Sequence, residues 1–191
     1  MLNGLVDAEV TLIENARNGD RSAFSELVRR HYTTVTQVVT RMCGDASLAE
    51  DATQEAFLRA WLKLPTYQPR APLRNWLVKI AMNACLDILR RHEAEPIGDE
   101  DTALFQDGSQ NPEAVLVEKE MTAMIQQAVR SLPSAARSVL VLREYSGFSY
   151  QEIAGILDIP IGTVMSRLNY ARTRLREILS GMPARLEPEY A

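Results

Sequence analysis

Apolar residues recur at steps of three and four through most of this chain, and no stretch alternates apolar with polar residues as a half-buried strand requires. That periodicity confines the chain to an all-α fold of amphipathic helices. Punctuation divides it. Asp20 is placed to cap a helix over about 21–43, whose apolar face carries Phe24, Leu27, Val28, Tyr32, Val35, Val38 and Val39, and Gly44 is placed to stop it. Ser47 and Glu50 read as a capping box opening a second helix that runs to about Leu64, where Pro65 ends it. A third fits Leu73 to Arg91, with Leu77, Ile80, Ala84 and Ile88 at helical spacing. Further on, Pro112 opens a helix through about Leu132. Pro133 and Ser134 break it and cap the next, which ends near Tyr145 before Gly147. Ser149 and Glu152 form another capping box for a short helix to Leu157, Asp158-Ile159-Pro160 turns the chain, and a last helix spans about Ile161 to Leu179.

The net charge of −4 hides an uneven distribution. Residues 92–120 hold nine acidic side chains against one basic, Lys119, between two faintly basic segments. Pro96, Gly98, Gly108, Ser109 and Asn111 fall in the same stretch, so it reads as a flexible linker. The expected organisation is a first domain over 1–92, an acidic linker over 93–112, a second domain over 113–182 and a tail over 183–191. Apolar residues make up 46% of the 191, enough for two cores, and no apolar run approaches the ~18 residues of a membrane span. Asp7 and Glu9 argue against a secretory leader, and two cysteines cannot make a disulfide framework. A soluble cytoplasmic protein is expected.

Residues 149–176 have helix-turn-helix spacing. Ile153, Leu157, Ile159, Val164 and Leu168 supply the apolar positions two crossed helices need, Ala154 is small at their approach, and Asp158 tolerates the left-handed backbone of the turn. From Thr163 to Arg176 there are four arginines and no acid, the charge a groove lined with phosphates attracts. Met165, Ser166, Asn169 and Tyr170 point outward as candidates for base contact, and Arg172 and Arg176 for phosphate.

Earlier in the chain, residues 56–86 hold five basic side chains and no acid, together with Phe57, Trp61, Tyr67 and Trp76. Cations beside aromatics and amides suit single-stranded nucleic acid, although aromatics at helical spacing also suit a core, Trp76 above all. Asn75, Lys79, Asn83, Asp87 and Arg91 follow at strict i+4 steps as one polar stripe. Glu50, Asp51, Gln54 and Glu55 cluster on the preceding helix, where acids can also simply complement the helix dipole.

DATQEAFLRAW (51–61), RNWLVKIAMNACLDILRR (74–91) and SYQEIAGILDIPIGTVMSRLNYARTRL (149–175) together resemble the extracytoplasmic-function (ECF, group-four) bacterial sigma factors, over nearly all of residues 20–180. The resemblance implies a sigma-two-like bundle and a sigma-four-like helix-turn-helix. It implies that Glu50, Asp51, Gln54 and Glu55 dock on core RNA polymerase. It places opening of the −10 promoter element and capture of a flipped base on Tyr67, Arg70, Arg74, Asn75, Trp76, Lys79, Asn83, Asp87, Arg90 and Arg91. It gives −35 reading to Thr163, Met165, Ser166, Arg167, Asn169, Tyr170, Arg172 and Arg176. The linker would thread the polymerase, its acidity imitating nucleic acid, and a separate anti-sigma protein would restrain the whole until a stress signal. One departure matters: many relatives carry Arg or Lys at the position of Met165 and an aromatic at that of Asn169, so bidentate readout of guanine is not available from residue 165.

A free-standing helix-turn-helix regulator is the competing class, but such proteins usually bind two half-sites as dimers, and the first domain would then lack a task. An enzyme is the third. The sequence has no Gly-rich phosphate loop, HExxH or GxSxG, and no cofactor or metal is expected. His31, Cys43, Cys85 and His92 are scattered, and read as buried helical cysteines with surface histidines rather than as a zinc or redox site.

Overall fold

The computed structural model describes residues 2–69, 71–94 and 112–181, and every regular element among them is helical. The elements are α1 (Leu2–Arg17), α2 (Arg21–Cys43), α3 (Ala46–Lys63), α4 (Leu73–Ala94), α5 (Pro112–Arg130), α6 (Ser134–Leu140), α7 (Tyr150–Leu157) and α8 (Ile161–Ser180). A 3₁₀ turn over Leu64–Thr66 follows α3, and a π-helical turn over Val141–Tyr145 continues α6.

Local chemistry explains most of the boundaries. The Asp20 carboxylate accepts from the backbone N–H groups of Ser22 and Ala23, and Gly44 ends α2 at φ 69°, a left-handed conformation that glycine adopts without a Cβ penalty. Both halves of the Ser149–Glu152 capping box form at the start of α7. Asp158 takes the left-handed turn at φ 55°, and Pro160 precedes α8. Three differences from expectation have physical reasons. Helix α3 starts one residue before Ser47 because Asp45, released by the Gly44 turn, caps it by accepting from the N–H of Leu48; the expected box at Ser47 and Glu50 does not form. The helix expected over 134–145 changes to π geometry after Leu140, which lets the N–H of Phe148 reach the Leu142 carbonyl at 3.0 Å. Helix α1 has no counterpart in the spacing analysis. Tertiary packing secures it: Ala16 is buried, Leu12 and Ile13 lie against the core, and the Glu9 carboxylate meets His31 Nε2 at 2.8 Å.

Helices α2, α3 and α4 form the first bundle. Ala49, Ala52, Ala56 and Ala60 lie at helical steps on the inner face of α3, all buried. Their small size brings α3 close to Val35, Val38, Val39 and Met42 of α2 and to Leu77, Ala81 and Ala84 of α4. Phe24 packs on Trp61, and Tyr67 on Trp76, with ring centroids 4.9 Å apart in each pair. In the second half, Val139, Leu142, Phe148, Ile153, Val164, Leu168 and Ala171 close a core among α6, α7 and α8. The two halves meet in a seam in which α4 contacts α7 and α2 contacts α5, α6 and the π turn. The linker expected over 93–112 and the tail over 183–191 lie almost wholly outside the described residues, as does Arg70.

Candidate nucleic-acid interface

Three faces carry the candidate residues. On the first turns of α3, Glu50, Asp51 and Gln54 are exposed, and Gln54 donates to Glu50 at 3.2 Å. Glu55, grouped with them by sequence, has another engagement. It accepts from Arg59 Nε at 2.7 Å, while Arg59 Nη1 reaches Asp87 of α4 at 2.8 Å. The two carboxylates raise the Arg59 pKa, Asp87 contributing most. Glu55 and Asp87 thus anchor α3 to α4 through one guanidinium. The open patch consists of the acids Glu50 and Asp51 with the amide of Gln54.

The polar stripe on α4 is divided. Asn75 is buried and its Nδ2 donates to the Glu152 carboxylate of α7 at 3.0 Å. Lys79 Nζ donates to the Gly155 carbonyl at 3.2 Å, near the C-terminal end of α7, where a helix dipole favours a cation. Arg74 donates to the Ser146 carbonyl at 2.6 Å, and its guanidinium stacks 3.9 Å from the Phe148 ring centroid. These three candidates are turned into the seam. Asn83, Arg90 and Arg91 remain exposed. Tyr67 is buried, donates its hydroxyl to the Ala71 carbonyl at 2.8 Å and has its pKa raised by that burial, and Trp76 is half-buried against it. Both aromatics therefore take the core role that helical spacing also allowed.

Helix α8 presents the opposite case. Met165, Ser166, Asn169, Tyr170, Arg172 and Arg176 are exposed, with Thr163 and Arg167 partly so, while Val164, Leu168 and Ala171 are buried. Arg172 does not stand alone: its Nε and Nη2 both donate to Glu144 Oε1, at 3.1 and 2.6 Å. Arg167 and Arg90 both line a pocket of about 220 Å3 at the seam, together with Leu86, Leu89, Ser134 and Leu157.

Spacing in the sequence gave no sign of the seam's other members. Arg130 and Arg137 of the second half donate to the Gly44 and Met42 carbonyls at 2.8 and 2.7 Å, and Arg41 stacks on Tyr145 with its Cζ 4.3 Å from the ring centroid. Among the described residues no group of three His, Cys, Asp or Glu side chains could hold a metal, and no helix is long and apolar enough to cross a membrane. Cys43 and Cys85 are buried as expected. His92 is exposed, and His31 is half-buried beside Glu9.

A bundle with an acidic helix face, joined to a helix-turn-helix with a cationic second helix, defines a two-part transcription protein. Comparison with known proteins gives the same division. Sigma-70 region 2 matches residues 27–95, and Sigma-70, region 4 matches residues 122–175. The RNA polymerase sigma-H factor of Pseudomonas aeruginosa is 32% identical over 177 residues, covering 88% of this chain and 92% of that protein. The ECF RNA polymerase sigma factor SigW of Bacillus subtilis is 34% identical over 177 residues, covering 87% and 94%. Among solved structures, CnrH in complex with the cytosolic domain of CnrY superposes with a TM-score of 0.67 at 26% identity, covering 91% of this chain and 97% of that one. The chain belongs to the ECF sigma factors, the non-enzymatic subunits that bind core RNA polymerase and direct promoter recognition.

Proposed function

We propose that this sigma factor divides its task among the three faces and rests in a closed form in which one of them is covered. Glu50, Asp51 and Gln54 dock on core polymerase. Arg74, Asn75, Lys79 and Asn83, with Arg70, Arg90 and Arg91, engage the opened −10 element. Thr163, Met165, Ser166, Arg167, Asn169, Tyr170, Arg172 and Arg176 face the −35 element. Because Met165 and Asn169 offer no cation for guanine, much of the −35 affinity comes from phosphate contacts and DNA shape. The observation that carries the closed form is the bonding of Arg74, Asn75 and Lys79 to α7 and its preceding loop: those groups cannot hold Ser146, Glu152 and Gly155 and a DNA strand at once. CnrH, solved with the cytosolic domain of CnrY, supports an anti-sigma partner for this chain as well.

Co-elution with core polymerase tests the docking face. The intact chain should co-elute, and the double change Asp51→Ala and Gln54→Ala should abolish this while leaving the helical signal unchanged. Glu55 is left in place because its loss would also release Arg59. Retention of the double variant on polymerase would overturn the assignment. If neither form bound and the chain instead shifted duplex DNA as a dimer, a free-standing regulator would be the better reading.

A further inference from the structure

Promoter recognition leaves the two cysteines without a task, yet the fold brings them together. Cys43 is the last residue of α2 and Cys85 lies on the inner face of α4, 42 positions later. Both are buried, and their Sγ atoms are 3.1 Å apart. A disulfide needs ~2.0 Å between sulfurs, so the pair has about 1 Å to close. The position also matters. The carbonyls flanking Cys43, those of Met42 and Gly44, are the ones that Arg137 and Arg130 of the second half hold.

We propose that Cys43 and Cys85 are a redox pair that a hydroperoxide converts into an intramolecular disulfide joining α2 to α4. Cys43 reacts first, because it keeps 8% of its surface exposed and Cys85 keeps none. Its thiolate attacks the peroxide, the O–O bond breaks, and Cys43 becomes a sulfenic acid as water or an alcohol leaves. Cys85 then attacks that sulfur and the sulfenic oxygen departs as water with the Cys85 proton. Two thiols are oxidised by two electrons and one peroxide is reduced. The hydrogen bond with Cys43, and then burial, push the Cys85 thiol well above the usual thiol range, which disfavours Cys85 as the sulfur that meets the peroxide first. The bridge fixes the end of α2 on which the seam rests.

The test uses the full chain. Hydrogen peroxide is added and quenched, the protein is denatured, free thiols are alkylated with a maleimide and the intact mass is read. The expected product is a single chain lighter by two hydrogens with no maleimide attached. Dithiothreitol should restore two alkylatable thiols, and the oxidised form should unfold at a higher urea concentration than the reduced one. With Cys85→Ala, the sulfenic acid on Cys43 should persist and be captured by dimedone; with Cys43→Ala, Cys85 should stay unmodified. Two maleimides on the peroxide-treated wild type, a sulfinic acid on Cys43, or a disulfide between chains would each overturn the proposal, and the wild-type mass decides this whether or not either variant folds.

Discussion

Helices α4 and α8, which the proposed function gives to promoter DNA, stand in opposite situations. The outward face of α8 is open at Met165, Ser166, Asn169 and Tyr170, with Met165 and Tyr170 about half exposed, at 52% and 50%, although Arg172 is paired with Glu144. The corresponding stripe on α4 is in large part occupied: Asn75 keeps only 7% of its surface, and Arg74 and Lys79 hold backbone carbonyls of the second half. The acidic turn of α3 resembles α8 in being free. On the proposed division of faces, such a chain would meet polymerase and the −35 element before it opens, and the −10 element only afterwards. The difference turns on polar contacts with partners more than 70 positions away in sequence, so separating the halves would release Arg74, Asn75 and Lys79.

The contrast between α4 and α8 depends most heavily on Phe148. It is fully buried in the second core and also seats the Arg74 guanidinium. Phe148→Ala should cost about 3–5 kcal/mol in a urea titration. Met165→Ala on the open face should stay within about 0.5 kcal/mol. Similar losses for both would mean that α8 is not the free surface described here.

A smaller and more selective break lies at Gly44. Its φ of 69° costs any other residue about 1–2 kcal/mol, and an added Cβ would clash with the Arg130 side chain. Gly44→Ala should lower the urea midpoint by that amount and displace Arg130, opening the seam. Scattering that shows an unchanged radius of gyration for the folded variant would argue against this.

On the α8 side, Arg172→Ala should weaken duplex binding equally on matched and mismatched promoters and reduce the salt dependence by about one ion, whereas Asn169→Ala should alter sequence preference. Glu144→Ala should strengthen duplex binding, since it frees Arg172. Fluorescence anisotropy across a salt series distinguishes these outcomes. If Arg172→Ala and Asn169→Ala reduced binding to matched and mismatched promoters alike, the division between phosphate and base contacts would fail.

The smallest effect is expected from pH. The Glu152 carboxyl is held below the usual carboxylate range, first by the Ser149 backbone N–H and then by Asn75. A lowered folded-state pKa contributes stability that is present above the ordinary carboxylate value and fades as pH falls through the folded one. The seam should therefore loosen only in acid, and Asn75→Ala should move the Glu152 titration upward by NMR. No movement would mean that Asn75 does not hold the carboxylate in solution.

How much of this could be read from sequence follows the range of each interaction. The caps at Asp20 and Ser149 and the left-handed turn at Asp158 involve neighbours within a few residues, and the amino-acid types alone announce them. Where two cap-forming residues competed, Asp45 won over Ser47 because Gly44 decides where the chain leaves α2. The inward turn of Val164, Leu168 and Ala171 followed from period, and so did the outward face of α8. The pairings of Asn75 with Glu152, Arg74 with Ser146 and Arg172 with Glu144 span 77, 72 and 28 positions and leave no local trace. Glu55 and Asp87 look like surface acids until Arg59 is seen between them.

Lysine reactivity tests the closed seam most directly, because Lys63 is exposed at the end of α3 while Lys79 donates to the Gly155 carbonyl. Brief acetylation of the free protein, read by mass spectrometry of the peptides, should modify Lys79 several-fold more slowly than Lys63. The double change Arg41→Ala and Arg130→Ala, which removes two seam cations outside the candidate DNA faces, should bring the two rates together. Equal rates in the unaltered free protein would show that α4 is already uncovered and would contradict the account.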